Sequence, residues 1–282
     1  MKQPPTTKTF SFELFPPKTP QGFENMQAAV NKLNRLRPEF FSVTYGAGGS
    51  TQERTFASVN WLRDNGIATA PHLSCIGSDR QEVREILDRY RQQGVQRIVA
   101  LRGDLPSGAG LGSLGEFNYA NELVLFIKSE FGDQFVIEVA AYPEFHPQAA
   151  SAQKDLDNFQ RKVAAGADGA ITQYFYNADA YFRFLEDCQK RDIHIPIVPG
   201  VMPITNFVQL ARFSDACGAE IPRWLRKRLE GFGDDLESIR SYGVDVTTNL
   251  CEQLLAGGAP GLHFYTMNQA GPTLKIWRNL GL

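Results

Sequence analysis

Short apolar runs alternate with longer amphipathic segments along this chain, and the alternation can be counted. Residues 9–14 form the first strand-length apolar run, and residues 22–36 follow with Met26, Val30, Leu33 and Leu36 at helical spacing. The second pair is 40–45 with a helix over 52–64. The third is 68–73 with 79–93, where Asp79 suits an N-cap and Gly94 a helix stop. A fourth strand over 95–101 reaches its helix, near 118–131, only after a Gly-rich loop. The fifth pair is 135–141 with 151–165, ended by Gly166; the sixth is 169–174 with 178–190; the seventh is 195–200 with 206–216. A helical excursion over 222–256 precedes the eighth strand, 261–265, and a terminal helix over 271–279.

Eight such pairs predict an α/β protein of the (β/α)8 TIM-barrel type, a single domain over residues 1–282 with one extra helical excursion before the last strand. A doubly wound open sheet also alternates strand and helix, but it carries its nucleotide fingerprint at the first strand-to-helix turn. Here that turn reads FPPKTPQG, with prolines and no Gly-rich run. Gly110, Gly112 and Gly115 do match Gly-x-Gly-x-x-Gly. They lie about nine residues beyond their strand and open no helix directly, so they read as a loop.

Composition changes this picture little. Apolar residues at 43% and charged residues at 21% give a chain of 282 residues enough material for one core and leave no low-complexity linker. A net charge of -2 lacks the cationic excess of a nucleic-acid binder. No run of about 18 apolar residues occurs, and residues 1–9 hold no signal-peptide core. A cytoplasmic protein with neither membrane nor nucleic-acid partner is expected. Cys75, Cys188, Cys217 and Cys251 are widely spaced, which argues for small core residues rather than a disulfide framework. His72, His146, His194 and His263 show no metal-ligand spacing, so no metal is expected.

Candidate chemistry collects where strands end, which in a barrel is one face. Glu13 stands among Phe10, Phe12, Leu14, Phe15 and two prolines, a setting that predicts burial, a raised pKa and the ability to hold a proton as a general acid. Glu13 could instead point outward or pair with a buried Arg. Later strands end at Thr44 and Tyr45, at His72, at Arg102, Gly103 and Asp104, at Tyr142, Glu144 and His146, at Gln173 and Tyr174, and at Tyr265. His72 could equally be a core histidine, and Arg102 could pair with Asp104 across Gly103. Gly103 would let a ligand approach the backbone. Asp155, Asn158, Arg161 and Lys162 share a helix face, either as a solvated ion-pair surface or as a site where two cations hold a diphosphate.

The segments FSFELFPPKT, FFSVTYGAGGS, APHLSCI, IVALRGDLP, VAAYPEFHP, KVAAGADGAITQYFY, PGVMPITNF and HFYTMNQA, in this order over nearly the whole chain, resemble the methylenetetrahydrofolate reductase family in its short bacterial form. That family is a flavin-containing (β/α)8 barrel that reduces 5,10-methylenetetrahydrofolate to 5-methyltetrahydrofolate with NADH or NADPH. The resemblance implies that Glu13 protonates N10 of the folate and that Asp104 lies by the flavin and the pterin. It places FAD on Thr44, Ala47, His72, Arg102, Gly103, Asp104, Tyr119, Ala120, Tyr142, His146, Asp155, Asn158, Arg161 and Lys162.

The same resemblance assigns folate or nicotinamide contacts to Asp104, Gln173, Gln209 and Phe213, and one flavin serving both substrates implies ping-pong kinetics. Gln269 stands where the family usually has Arg, so the folate's glutamate tail would meet a hydrogen-bonding group without charge. Homo-oligomers are common in the family, and its eukaryotic regulatory domain is not expected on a chain ending at Leu282. Two other classes compete: a pterin-binding barrel methyltransferase without redox chemistry, and a non-catalytic barrel that keeps FAD or folate binding only. The presence of both Glu13 and Asp104 speaks against the second of these.

Overall fold

The computed structural model describes residues 8–45, 49–103 and 115–282. Among these residues nine parallel strands form one sheet in the order β7-β6-β5-β4-β3-β2-β1-β9-β8. They are β1 (Thr9–Leu14), β2 (Phe40–Val43), β3 (Thr69–Ser74), β4 (Arg97–Leu101), β5 (Val136–Ala141), β6 (Gly169–Thr172), β7 (Ile197–Val198), β8 (Gly200–Val201) and β9 (Gly261–Tyr265). The seventh expected strand is therefore two short ones. Pro199, which has no N–H to give a ladder, separates β7 on β6 from β8 on β9. Its carbonyl still accepts from His263 N–H at 3.0 Å, so the ring of strands closes there.

The helices are α1 (Pro20–Leu33), α2 (Gly49–Asp64), α3 (Arg80–Gln92), α4 (Ala120–Phe131), α5 (Ala152–Ala164), α6 (Ala178–Gln189), α7 (Phe207–Cys217), α8 (Arg223–Gly231), α9 (Leu236–Ala256) and α10 (Ala270–Asn279). Their starts follow sequence chemistry. Thr19 caps α1 ahead of Pro20, Asp79 and Glu82 form a capping box on α3, and Ser151 caps α5. Gly94 and Gly166 end α3 and α5 with φ of 72° and 111°, conformations that cost glycine nothing. The expected excursion before the last strand is α8 and α9. No helix among the described residues is long and apolar enough to cross a membrane.

Strand periodicity divides the core into two layers. Phe12 and Leu14 face the helices, and the Phe12 ring lies 5.5 Å from Phe41, 5.9 Å from Phe264 and 6.3 Å from Trp277. Burial of each such side chain stabilises by about 1.5–3 kcal/mol. Inside the barrel a separate small cluster of Phe40, Ala70, Val99 and Ile171 fills the middle. Below it, Arg97 bridges Glu138 and Glu39 over the Phe40 ring. Glu138 fits only because Gly169 has no side chain: a Cβ there would sit 2.3 Å from its Oε2. Polar side chains are left for the opposite end, where strands run out. Cys75, Cys188 and Cys251 are buried, as small core residues should be.

Candidate active site

Ser11 and Glu13 occupy the alternate positions of β1 and point into the barrel. Parallel pairing sets Ser11 opposite His263 and Glu13 opposite Tyr265. Ser11 Oγ lies 2.7 Å from His263 Nδ1, and His263 Nε2 lies 3.7 Å from Glu13 Oε2. On the other side His72 Nε2, from β3, is 3.3 Å from the same oxygen. Both Nε2 atoms are buried without a well-aligned hydrogen bond among the described residues. A Ser11 hydroxyl donating to Nδ1 would leave a neutral His263 with its Nε2–H toward Glu13.

The apolar sequence around Glu13 predicts a raised pKa, and the structure reverses it. Burial acts upward, but polar contact and charge from His263 and His72 outweigh it and bring the carboxyl down to about 2. Neither the outward position nor the buried Arg partner describes Glu13; its partners are imidazoles. Burial pushes His263 below its ordinary value despite Glu13, which keeps that imidazole neutral at pH 7. A carboxylate between two imidazoles can exchange a proton with either.

Glu13 opens onto a cavity of about 200 Å³ lined also by His72, Val99, Leu101, Ala140, Tyr142, Ile171, Gln173 and Tyr265. Gln173 Oε1 accepts from Tyr174 N–H at 2.9 Å, which turns its amide nitrogen to the cavity as a donor. Tyr265 crosses the barrel to donate its hydroxyl to the Thr172 carbonyl at 2.7 Å. Glu13, His72, Tyr142 and Gln173 are thus brought together as expected for one barrel face. Tyr265 is there too, as its strand end predicts, whereas Ser11 and His263 are the site residues that sequence reasoning did not bring to Glu13. Pairing of the last strand with the first is the signal that points to them.

A second group lies beside the cavity. Asp155 Oδ2 accepts from His146 N–H at 3.0 Å, and the His146 ring meets Tyr142 edge-on at 4.6 Å. Arg161 donates to Asn158 Oδ1 at 2.9 Å. Lys162 reaches back along α5 to donate to the Ala140 carbonyl at 2.5 Å, with the Phe159 ring 5.5 Å away. It makes no ion pair within 4.0 Å among the described residues, and burial, only partly countered by Asp155, lowers it to about 8. Burial also raises Asp155. Arg102 engages Gln148 and the Gly103 carbonyl. Gly103 has φ 88°, and a Cβ there would come 1.8 Å from Ser74 Oγ. Its lack of a side chain lets it pack against β3.

Thr44 follows β2 and donates its N–H to the Leu14 carbonyl at 2.9 Å. Tyr119, 58% exposed, and Ala120 open α4. Gln209 and Phe213 are one helical turn apart on α7, Gln269 is the exposed residue preceding α10, and none of the three lines the cavity. Ala47, Asp104, Gly110 and Gly112 lie outside the described residues.

The methylenetetrahydrofolate reductase family model matches residues 2–281. The 5,10-methylenetetrahydrofolate reductase of Escherichia coli (strain K12) is 41% identical over 273 residues, covering 96% of this chain and 90% of that protein. Methylenetetrahydrofolate reductase (NADH) 1 of Arabidopsis thaliana is 39% identical over 285 residues, covering 97% of this chain and 48% of the longer protein. A solved Clostridium thermocellum protein, described as binding two copies of 5-methyl-5,6,7,8-tetrahydrofolic acid, shares the fold with a TM-score of 0.67. Its identity is 19%, over 96% of this chain and 93% of that one.

Proposed function

The chain belongs to the methylenetetrahydrofolate reductase family, and from that premise we propose that it reduces 5,10-methylenetetrahydrofolate to 5-methyltetrahydrofolate with FAD as bound cofactor and NADH or NADPH as electron source. The observation that carries the reading is the Glu13 carboxylate at the barrel mouth, held between His72 and His263. NADH in the plant relative's name supports a reduced nicotinamide dinucleotide as donor.

The residues present fit a flavin dinucleotide. Lys162 is a desolvated ammonium that meets the Ala140 carbonyl and the Phe159 ring and is only partly offset by Asp155, and an anionic group beside it would restore what burial removes. Arg102, Arg161 and Lys162 would hold the diphosphate, and His72, Tyr142 and His146 the rest of the cofactor. A flavin held there would supply hydride transfer between the nicotinamide and the folate in two separate half-reactions, a ping-pong scheme.

Glu13 handles the proton. With a pKa of about 2 in the free protein it is ionised at pH 7, so it takes up its proton when a folate covers the cavity and removes the remaining water. His72 and His263 stand within reach to pass one on. Glu13 gives that proton to N10 as the bond from N10 to the methylene carbon breaks, which leaves a cationic iminium able to accept hydride. Gln173 offers its amide N–H to a pterin acceptor, and Gln209, Phe213 and Gln269 would meet the benzoyl-glutamate portion. Asp104 would stabilise the cation electrostatically. One catalytic barrel, in the cytoplasm and assembled as a homo-oligomer, is part of the same proposal. Glu13→Gln tests it: flavin reduction by NAD(P)H should persist while folate reduction collapses, and intact folate turnover would remove Glu13 from the acid role.

A further inference from the structure

We propose that Asn268, together with Thr266, is a positioning residue for Glu13: the turn between β9 and α10 clamps the backbone on both sides of Glu13 and so fixes its carboxyl between His72 and His263. The inference rests on the acid role given to Glu13 above.

The ladder between β1 and β9 ends with Glu13 opposite Tyr265. Beyond that point one long backbone bond remains, from Thr266 N–H to the Glu13 carbonyl at 3.4 Å, and side chains make the closer contacts. Thr266 Oγ1 donates to the Glu13 carbonyl at 2.6 Å. Asn268 then takes both backbone groups of Phe15, accepting from its N–H at 3.1 Å and donating to its carbonyl at 2.9 Å. The turn is organised for this task. Asn268 N–H donates to Thr266 Oγ1 at 3.2 Å, and Gln269 N–H closes onto the Thr266 carbonyl at 2.9 Å.

Met267 and Asn268 are consecutive residues with φ of 51° and 55°. Left-handed backbone is sparsely populated without glycine, tolerated by Asn and disfavoured for Met, and it persists where surroundings impose it. Desolvation does not demand the clamp, because Phe15 is 41% exposed and water could serve its N–H and carbonyl. What water cannot do is hold residues 13 to 15 at a set distance from β9. The same strand supplies His263, so one element indexes both the main chain and the carboxyl of Glu13.

The test reads the Glu13 carboxyl directly, by 13C NMR of protein labelled at glutamate, with its resonance assigned by its loss in Glu13→Gln. Asn268→Gly keeps the left-handed backbone free of strain and removes both side-chain bonds; Thr266→Val removes the hydroxyl and Thr266→Ser keeps it. The expected result is a titration midpoint raised by about one unit or more in Asn268→Gly and Thr266→Val, as burial gains over the imidazoles, with Thr266→Ser unchanged. The folate half-reaction should slow roughly tenfold to a hundredfold in the first two, while nicotinamide reduces the flavin at an unchanged rate. If Asn268→Gly does not fold, Thr266→Val set against Thr266→Ser carries the same test. An unmoved midpoint, or equal slowing of both half-reactions, overturns the positioning role. A parent protein that leaves folate unreduced overturns the proposed activity instead, and the midpoint still decides the clamp.

Discussion

Replacing Glu13 by Gln removes a buried charge with little change of shape, and the cost should depend on pH in a way the geometry dictates. The carboxyl falls from an ordinary 4.5 to about 2 in the folded protein, which at about 1.4 kcal/mol per decade is worth about 3 kcal/mol of folded-state stability. At 17% side-chain exposure little of this is lost to solvent screening. Because the folded pKa lies below the unfolded one, the contribution is whole above about pH 5 and drains away as pH falls from 4.5 through 2. Glu13→Gln lacks it. Urea unfolding followed by circular dichroism, repeated from about pH 6 down to about pH 3, should show the gap between parent and variant shrinking with acid at constant m-value. A gap that stays level, or widens as pH falls, would mean that burial prevails and that Glu13 is neutral already; the reasoning from its imidazole partners would then be wrong.

Three further outcomes follow from the same contacts. FAD affinity, measured by quenching of flavin fluorescence, should fall as pH rises through about 8, where Lys162 loses its proton, and Lys162→Met should weaken binding roughly tenfold and remove that dependence. Gly169→Ala puts a Cβ 2.3 Å from Glu138 Oε2 and drives that carboxylate off Arg97, so thermal unfolding should report a loss of about 3–5 kcal/mol. Gly200→Ala meets the Thr172 carbonyl at 2.2 Å and the Tyr265 ring at 2.6 Å; stopped-flow absorbance should find folate reduction slowed through the displaced cavity wall.

Much of the barrel is legible in the order of its residues, because parallel strands buried on both faces read as short apolar runs and helices as 3.6-residue stripes. β1 occupies the expected 9–14, and the stops at Gly94 and Gly166 are real. The seventh strand is expected whole over 195–200, and the missing N–H of Pro199 breaks it in two. The expected first helix extends to Leu36, where the last turn tightens into a 3-10 segment. At the site, strand ends point to Glu13, His72, Tyr142 and Gln173, since any βα barrel sends them to one face. The partners of Glu13 are not visible in that way. His263 lies 250 residues from Glu13 in the chain, and only the register of β9 on β1 brings them together. A local sequence window shows the apolar cage around Glu13 and cannot show the imidazoles that reverse its pKa.

An anaerobic absorbance titration of the purified protein loaded with FAD decides the proposed reduction. The flavin spectrum should bleach on addition of NADH or NADPH and return when methylenetetrahydrofolate is added. A flavin that bleaches and is not restored by the folate would contradict the proposed acceptor, and a protein that takes up no FAD would contradict the redox chemistry altogether.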